Sequence, residues 1–302
     1  MKSNQYKSPF DENLSPRQRT QTAIDRSALS LKIATYVICH TLVECQELLA
    51  ADERLSTAHA FLQRATSTHL CNHKLTTEGL VYEFRGQPFE LHEEFKTMTL
   101  TRSVYEHLAM FFFLFEHPHN DEEREIVWKY WQLNSKKSQL DFSPAGDAEE
   151  RKGEIEEMRA LRKAILQSRI GRECAQKLDE WTAIETPAST GALECFRRGG
   201  RYDVRRVSYS LAWRYLFHND EMALLYSHLS MHCHPVFSGL VQYQNQATAD
   251  EGDDAIPLYF SACFLAYLCR LFLRLVPGGD AIVSNEFSAD DLRLFAALSH
   301  IK

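Results

Sequence analysis

The chain has 302 residues, 44% of them hydrophobic, enough to bury the core of one large domain or two ordinary ones, so disorder throughout is excluded. Its 34 Lys and Arg against 41 Asp and Glu give a net charge of -7, which argues against a broad nucleic-acid-binding face and confines any such contact to a local basic patch. Eight cysteines include no Cys-x-x-Cys pair. Cys39, Cys45, Cys263 and Cys269 fall in apolar helical runs, where a thiol packs as a small hydrophobe. The polar stretch Met1–Arg19 has no apolar signal core, so a cytoplasmic protein with reduced thiols is expected.

In chain order, residues 1–14 read as a disordered tail and 15–302 as a single helical domain. Ser15-Pro16 supplies an N-cap and a first-turn proline for a helix running to about Ala51. A second helix is expected from Asp52 to about Leu70. Gly79, Gly86 and Pro88 break the stretch Cys71–Pro88, in which Leu80–Phe84 reads as a short strand or a loop. A third helix, Phe89–Glu116, starts amphipathic, becomes apolar all round and ends at His117-Pro118. Asp121 to about Leu140 reads as a fourth helix and Asp147–Ile184 as a fifth, highly charged one.

A long connection is expected near 185–203, followed by helices at Val204–His218, Asn219–His234, Pro257–Val276 and Ser288–Ser299, with an acidic loop at Thr248–Asp254. The run Ile256–Val276 is apolar enough to resemble a membrane span, but Pro257 opens it, and Arg270 and Arg274 lie one turn apart. A buried core helix with a one-sided arginine stripe is therefore expected, and no membrane partner. The predicted fold class is all-α, a single helical bundle of about seven to nine helices with long central ones.

Two polar clusters interrupt this apolar sequence. Arg102 and Glu106 are four residues apart and share a helix face, flanked by Tyr105 and His107, as an ion pair or a grip on a polar ligand requires. Tyr226, Ser230 and His234 also repeat at four, and His234 stands in a last turn before Pro235, where the helix dipole favours its proton. Arg102, Glu106, His107 and His234 are the candidate catalytic residues, with Tyr226 and Ser230 as ligand contacts. His228 and His232 have the spacing of two ligands of one metal, with Cys233 nearby, but no matching donor set follows. His69, Cys71 and His73 alternate in a presumed loop. Neither a metal site nor a cofactor is predicted.

Five arginines fall within Arg197–Arg206 around Gly199-Gly200. Guanidinium groups fork onto phosphate oxygens, so Arg198 and Arg201 are candidate RNA contacts, or else part of a solvated linker.

The clusters resemble those of a widespread bacterial family of helical proteins of unknown function, which has Arg-x-x-x-Glu, a later Trp, and Tyr-x-x-Leu-Ser-x-x-x-His-Pro. The matching residues are Arg102, Glu106, Trp213, Tyr226, Leu229, Ser230, His234 and Pro235. That resemblance implies a helical fold and no reaction. Arg102 and His107 are also similar to the Arg-to-His motif of HEPN ribonucleases, although Ser103 stands where those proteins have Asn, Asp or His, and five residues set two side chains about 140° apart on an ideal helix.

Two functions follow as expectations. One is a binding or interaction module with a buried Arg/Glu/His polar site. The other is a metal-independent endoribonuclease or RNA-acting toxin or defence effector, with histidine as acid or base and arginine stabilising charge on phosphorus. Enzyme and binding module both stay open, as do RNA or a protein as partner and a homo-oligomeric state. Arg102 and His234 are expected to converge on one site, with Tyr226 at the same interface.

Overall fold

The computed structural model describes residues 11, 13–79, 81–84, 87–90, 94–142, 148–189, 191–218, 221–233 and 255–300, with side chains left aside at 81–96, 141–142, 148–150, 221–223 and 231–233. Most of the expected tail, His234, Pro235 and the acidic loop lie outside the described residues.

The capping signals place the first helices. Helix α1 spans Pro16–Glu44: the Ser15 hydroxyl accepts from the Gln18 amide, and the Gln18 side chain accepts from the Ser15 amide. It stops at Cys45 instead of reaching Ala51, and a separate α2 covers Gln46–Ala51. Helix α3 (Glu53–Glu78) starts with Asp52 accepting from Arg54 and Leu55, and runs past Leu70 to Gly79, whose φ of 66° suits the stop. His69, Cys71 and His73 are therefore helical and not in a loop. Strands β1 (Val81–Phe84) and β2 (Gln87–Glu90) pair antiparallel. Helix α4 (Glu94–Phe111) widens into a π-helical turn at Phe112–Glu116 and ends at His117, ahead of Pro118.

Helix α5 (Asp121–Phe142) matches expectation, but the fifth helix is broken into α6 (Ala148–Gln167), α7 (Arg169–Glu173) and α8 (Ala175–Thr182). Ser168 restarts the chain by accepting from the Gly171 amide. A Cβ on Gly171 would sit 1.9 Å from the Ile165 carbonyl oxygen, so the fold-back admits only glycine.

Much of the expected long connection near 185–203 is instead paired sheet. Strands β3 (Ala192–Arg198) and β4 (Arg201–Val207) form a hairpin, with Gly199 and Gly200 at φ of 59° and 82°, as a two-residue turn requires. Then come α9 (Tyr209–Phe217), α10 (Glu221–Cys233), α11 (Ala255–Leu275), α12 (Gly279–Ser284) and α13 (Ala289–Leu298). The protein is mostly helical, with thirteen α-helical segments among the described residues, more than expected because two long helices are interrupted and the short α12 was not foreseen.

Contacts gather these elements into two compact units, residues 1–109 with 213–302, and residues 110–212. In the first, α1, α3 and α11 pack on one another. Helix α1 buries Ala23, Ser27, Ser30, Ile33, Ala34 and Val37, a stripe of helical period. Helix α11 is long and apolar enough to cross a membrane by length and composition, and 14 of its 21 residues are buried inside the protein. Arg270 lies at its rim, bonded to Ser299 and His300, and Arg274 is exposed, as the one-sided stripe predicts. Cys263 and Cys269 are core thiols as expected, whereas Cys39 is exposed and Cys45 half-buried. In the second unit, α5 packs on α6 and β3, and α7 packs on β4.

Candidate functional site

Arg102 and Glu106 form the expected pair on α4, Nε to Oε1 at 2.7 Å, but 21% and 28% of their side chains stay exposed. The pair sits at a half-open edge and not in a dry core. The Tyr226 hydroxyl, from α10, donates to the same Glu106 Oε1 at 3.3 Å, and the Arg102 guanidinium lies 5.5 Å from the Tyr226 ring centre. Burial pushes the Tyr226 phenol up, Glu106 adds to this and Arg102 opposes it, so the hydroxyl stays a neutral donor.

Behind this edge lies an aromatic cluster. Tyr105 is fully buried and stacks on Trp213 at 4.3 Å and 11° between ring planes. Tyr226 packs on Tyr105 at 5.3 Å, and Phe264 of α11 lies 5.5 Å from both Tyr105 and Trp213. Within this group Trp213 Nε1 is buried without a hydrogen bond among the described residues, while Ser230 Oγ, one turn after Tyr226, is buried with only a loose bond to the Tyr226 hydroxyl. Arg102, Glu106 and Tyr226 are thus brought together, as the two polar clusters suggested, and Trp213 packs behind them.

His107 is directed elsewhere. Its Nδ1 lies 2.6 Å from the Ser103 carbonyl oxygen and its ring meets Phe61 of α3 edge-on at 6.1 Å. Burial lowers its pKa, the bond to Ser103 works against that, and nearby Arg64 lowers it further, which keeps the ring neutral. The expected meeting of Arg102 with His234 falls outside the described residues, as do the side chains of His232 and Cys233. His228 is exposed on α10. Among the described residues no three His, Cys, Asp or Glu side chains gather as metal ligands would.

The arginine run belongs to the second unit and is largely built into its hairpin. Arg197 lies over the Tyr202 ring at 4.5 Å and donates to its hydroxyl at 3.0 Å. Arg205 pairs with buried Glu194, which also bonds His117 at 3.3 Å; burial pushes that carboxyl up, but these two partners hold it below its ordinary value. Arg206 lies 4.8 Å from the Trp181 ring centre. Arg198 and Arg201 flank the Gly-Gly turn and are exposed.

A buried polar chain that the sequence reading did not identify crosses the core of the first unit. Ser27 Oγ bonds His69 Nε2 at 2.9 Å and His73 Nδ1 at 2.8 Å, and His69 Nδ1 bonds Ser261 Oγ at 2.7 Å. His69 and His73 at four-residue spacing were its only visible signal, since the serines resemble any others in a helix. No protein family, curated protein or solved structure compared with this chain matches it.

Proposed function

We propose that the chain is a binding module in a reducing, cytoplasmic setting, whose first unit offers the Arg102–Glu106–Tyr226 edge to a polar ligand or protein partner. The observation that carries this is the buried Trp213 Nε1, without a hydrogen-bond partner among the described residues, in the cluster behind a half-open ion pair. An unmade buried hydrogen bond costs about 1–3 kcal/mol, so a cluster that keeps one is suited to a partner that supplies it. The seven described cysteines are all free thiols, in keeping with the compartment.

The alternative, an RNA-acting effector, draws support from exposed Arg198 and Arg201 at the hairpin tip. It is the weaker reading because Glu106 engages Arg102, while Ser103 and Phe61 engage His107.

The test combines binding with RNA cleavage. Arg102→Met is expected to lose only about 1 kcal/mol of stability, since the pair is partly solvated. A panel of amino acids, carboxylates and sugar phosphates is expected to contain a compound that raises the melting temperature of the wild type and not of Arg102→Met. If the purified protein instead cuts total RNA and Arg102→Met or His107→Ala abolishes the cutting, the binding-module reading is overturned.

A further inference from the structure

The second unit contains a cleft of about 300 Å³ beside α5. Trp131, Ser135 and Ser138 line it from one face of that helix, at the i, i+4, i+7 spacing that aligns side chains. Tyr130, Ser189 and Tyr209 contribute further wall. No Lys, Arg, His, Asp or Glu is among its lining residues.

Tyr130 is 1% exposed and its hydroxyl is enclosed. Ser189 and Asn134 are its hydrogen-bonding neighbours, but neither bond is well formed among the described residues. Asn134 is held in place: its Nδ2 donates to the Tyr130 carbonyl at 2.9 Å, and its Oδ1 accepts from the Ser189 amide at 2.8 Å, which leaves one Oδ1 lone pair on the Tyr130 side. Buried hydroxyls are ordinarily well bonded, so one held only loosely at a cleft wall is a specific recognition point.

We infer that this cleft binds an uncharged, planar heteroaromatic molecule of nucleobase size. Three kinds of observation converge on that class. The volume is about twice that of a cavity known to take benzene, which suits one or two fused rings. Trp131 and Tyr209 supply flat apolar surface for stacking, and the serine and tyrosine hydroxyls supply directional bonds to a polar ring edge. Charged ligands are disfavoured because no lining group compensates their desolvation. A free sugar fits less well, because it presents hydroxyls on every edge and the one amide in the wall, Asn134, is already engaged.

The site lies in a different unit from the Arg102 edge, so the two proposals stand or fall separately. Calorimetric titration of the full-length protein with adenine, uracil, orotate and glucose tests it. Adenine and uracil are expected to bind, and orotate, which adds a carboxylate to the uracil ring, about tenfold or more weaker. Tyr130→Phe keeps the ring and removes only the loosely bonded hydroxyl. It is expected to melt as the wild type does while weakening adenine about tenfold. Ser135→Phe fills the cleft without breaking a described hydrogen bond and is expected to abolish binding. The inference is overturned if neither base binds at millimolar concentration, if orotate or glucose binds more tightly than the bases, or if both variants bind adenine as the wild type does.

Discussion

Replacing Trp213 with alanine is expected to lower stability by about 3–5 kcal/mol, the range for removing a large buried aromatic. The indole is fully buried, stacked on Tyr105 at 4.3 Å and packed against Phe217 at 4.8 Å and Phe264 at 5.5 Å. Its loss would leave a cavity that three rings from three helices cannot easily close. Trp213→Phe is the informative partner: it keeps a ring against Tyr105 and removes an N–H that has no well-formed partner among the described residues. Its cost is expected to stay below about 1.5 kcal/mol. Denaturant midpoints at unchanged m-value give both numbers. Equal losses in the two variants would mean that the indole N–H contributes to folding, and the argument that it awaits a partner would fail. If the proposed binding reading holds, the phenylalanine variant should lose the ligand-induced rise in melting temperature while folding almost normally.

Local signals in the chain were read correctly where local chemistry decides. Ser15-Pro16, Asp52 and Ser288 start helices because their side-chain oxygens accept orphan amides, and His117 stops one because Pro118 follows. The apolar α11 was recognisable as a core helix by its two arginines, and it packs on α1 and α3. The meeting of Tyr226 with Arg102 and Glu106 was legible as well, since lone polar groups on apolar helices require partners across the interface.

The missed features depend on packing or on a signal overlooked. Helix propensity runs unbroken through Ser168, and only the approach of Gly171 to the Ile165 carbonyl reveals the fold-back. The β3–β4 hairpin was legible in principle, because Gly199-Gly200 stands between stretches bearing Leu193, Cys195, Tyr202 and Val204, but its arginines suggested a solvated linker. The Tyr130 cleft had no signature, because a cavity is made by residues distant in sequence. Likewise, nothing in the sequence announces that Ser27 and Ser261 bracket His69.

That bracketed histidine is expected to make the first unit acid-sensitive. His69 is fully buried, and burial first, then the neighbouring His73, lower its pKa from 6.5 to about 3, against a smaller raising effect of its bond near Ser27. The fold therefore holds it neutral, between Ser27 and Ser261. Well above pH 6.5 neither the folded nor the unfolded chain protonates it, and its contribution to stability is intact. As pH falls from 6.5 toward 3 the unfolded chain takes up a proton that the native state refuses, so stability declines through that window, by about 1.4 kcal/mol per pH unit once protonation of the unfolded form is complete. By pH 5 the loss amounts to roughly 2 kcal/mol. His59, His73 and His107, all lowered chiefly by burial, add smaller losses of the same sign. His69→Gln removes the ionisable group while keeping an amide between the two serines, so it isolates the His69 share. Unfolding free energies at pH 7.5 and pH 5 are expected to fall about 2 kcal/mol further in the wild type than in the variant. Equal falls would show that His69 either takes up its proton within the folded protein or is not enclosed as the Ser27–His69–Ser261 chain requires.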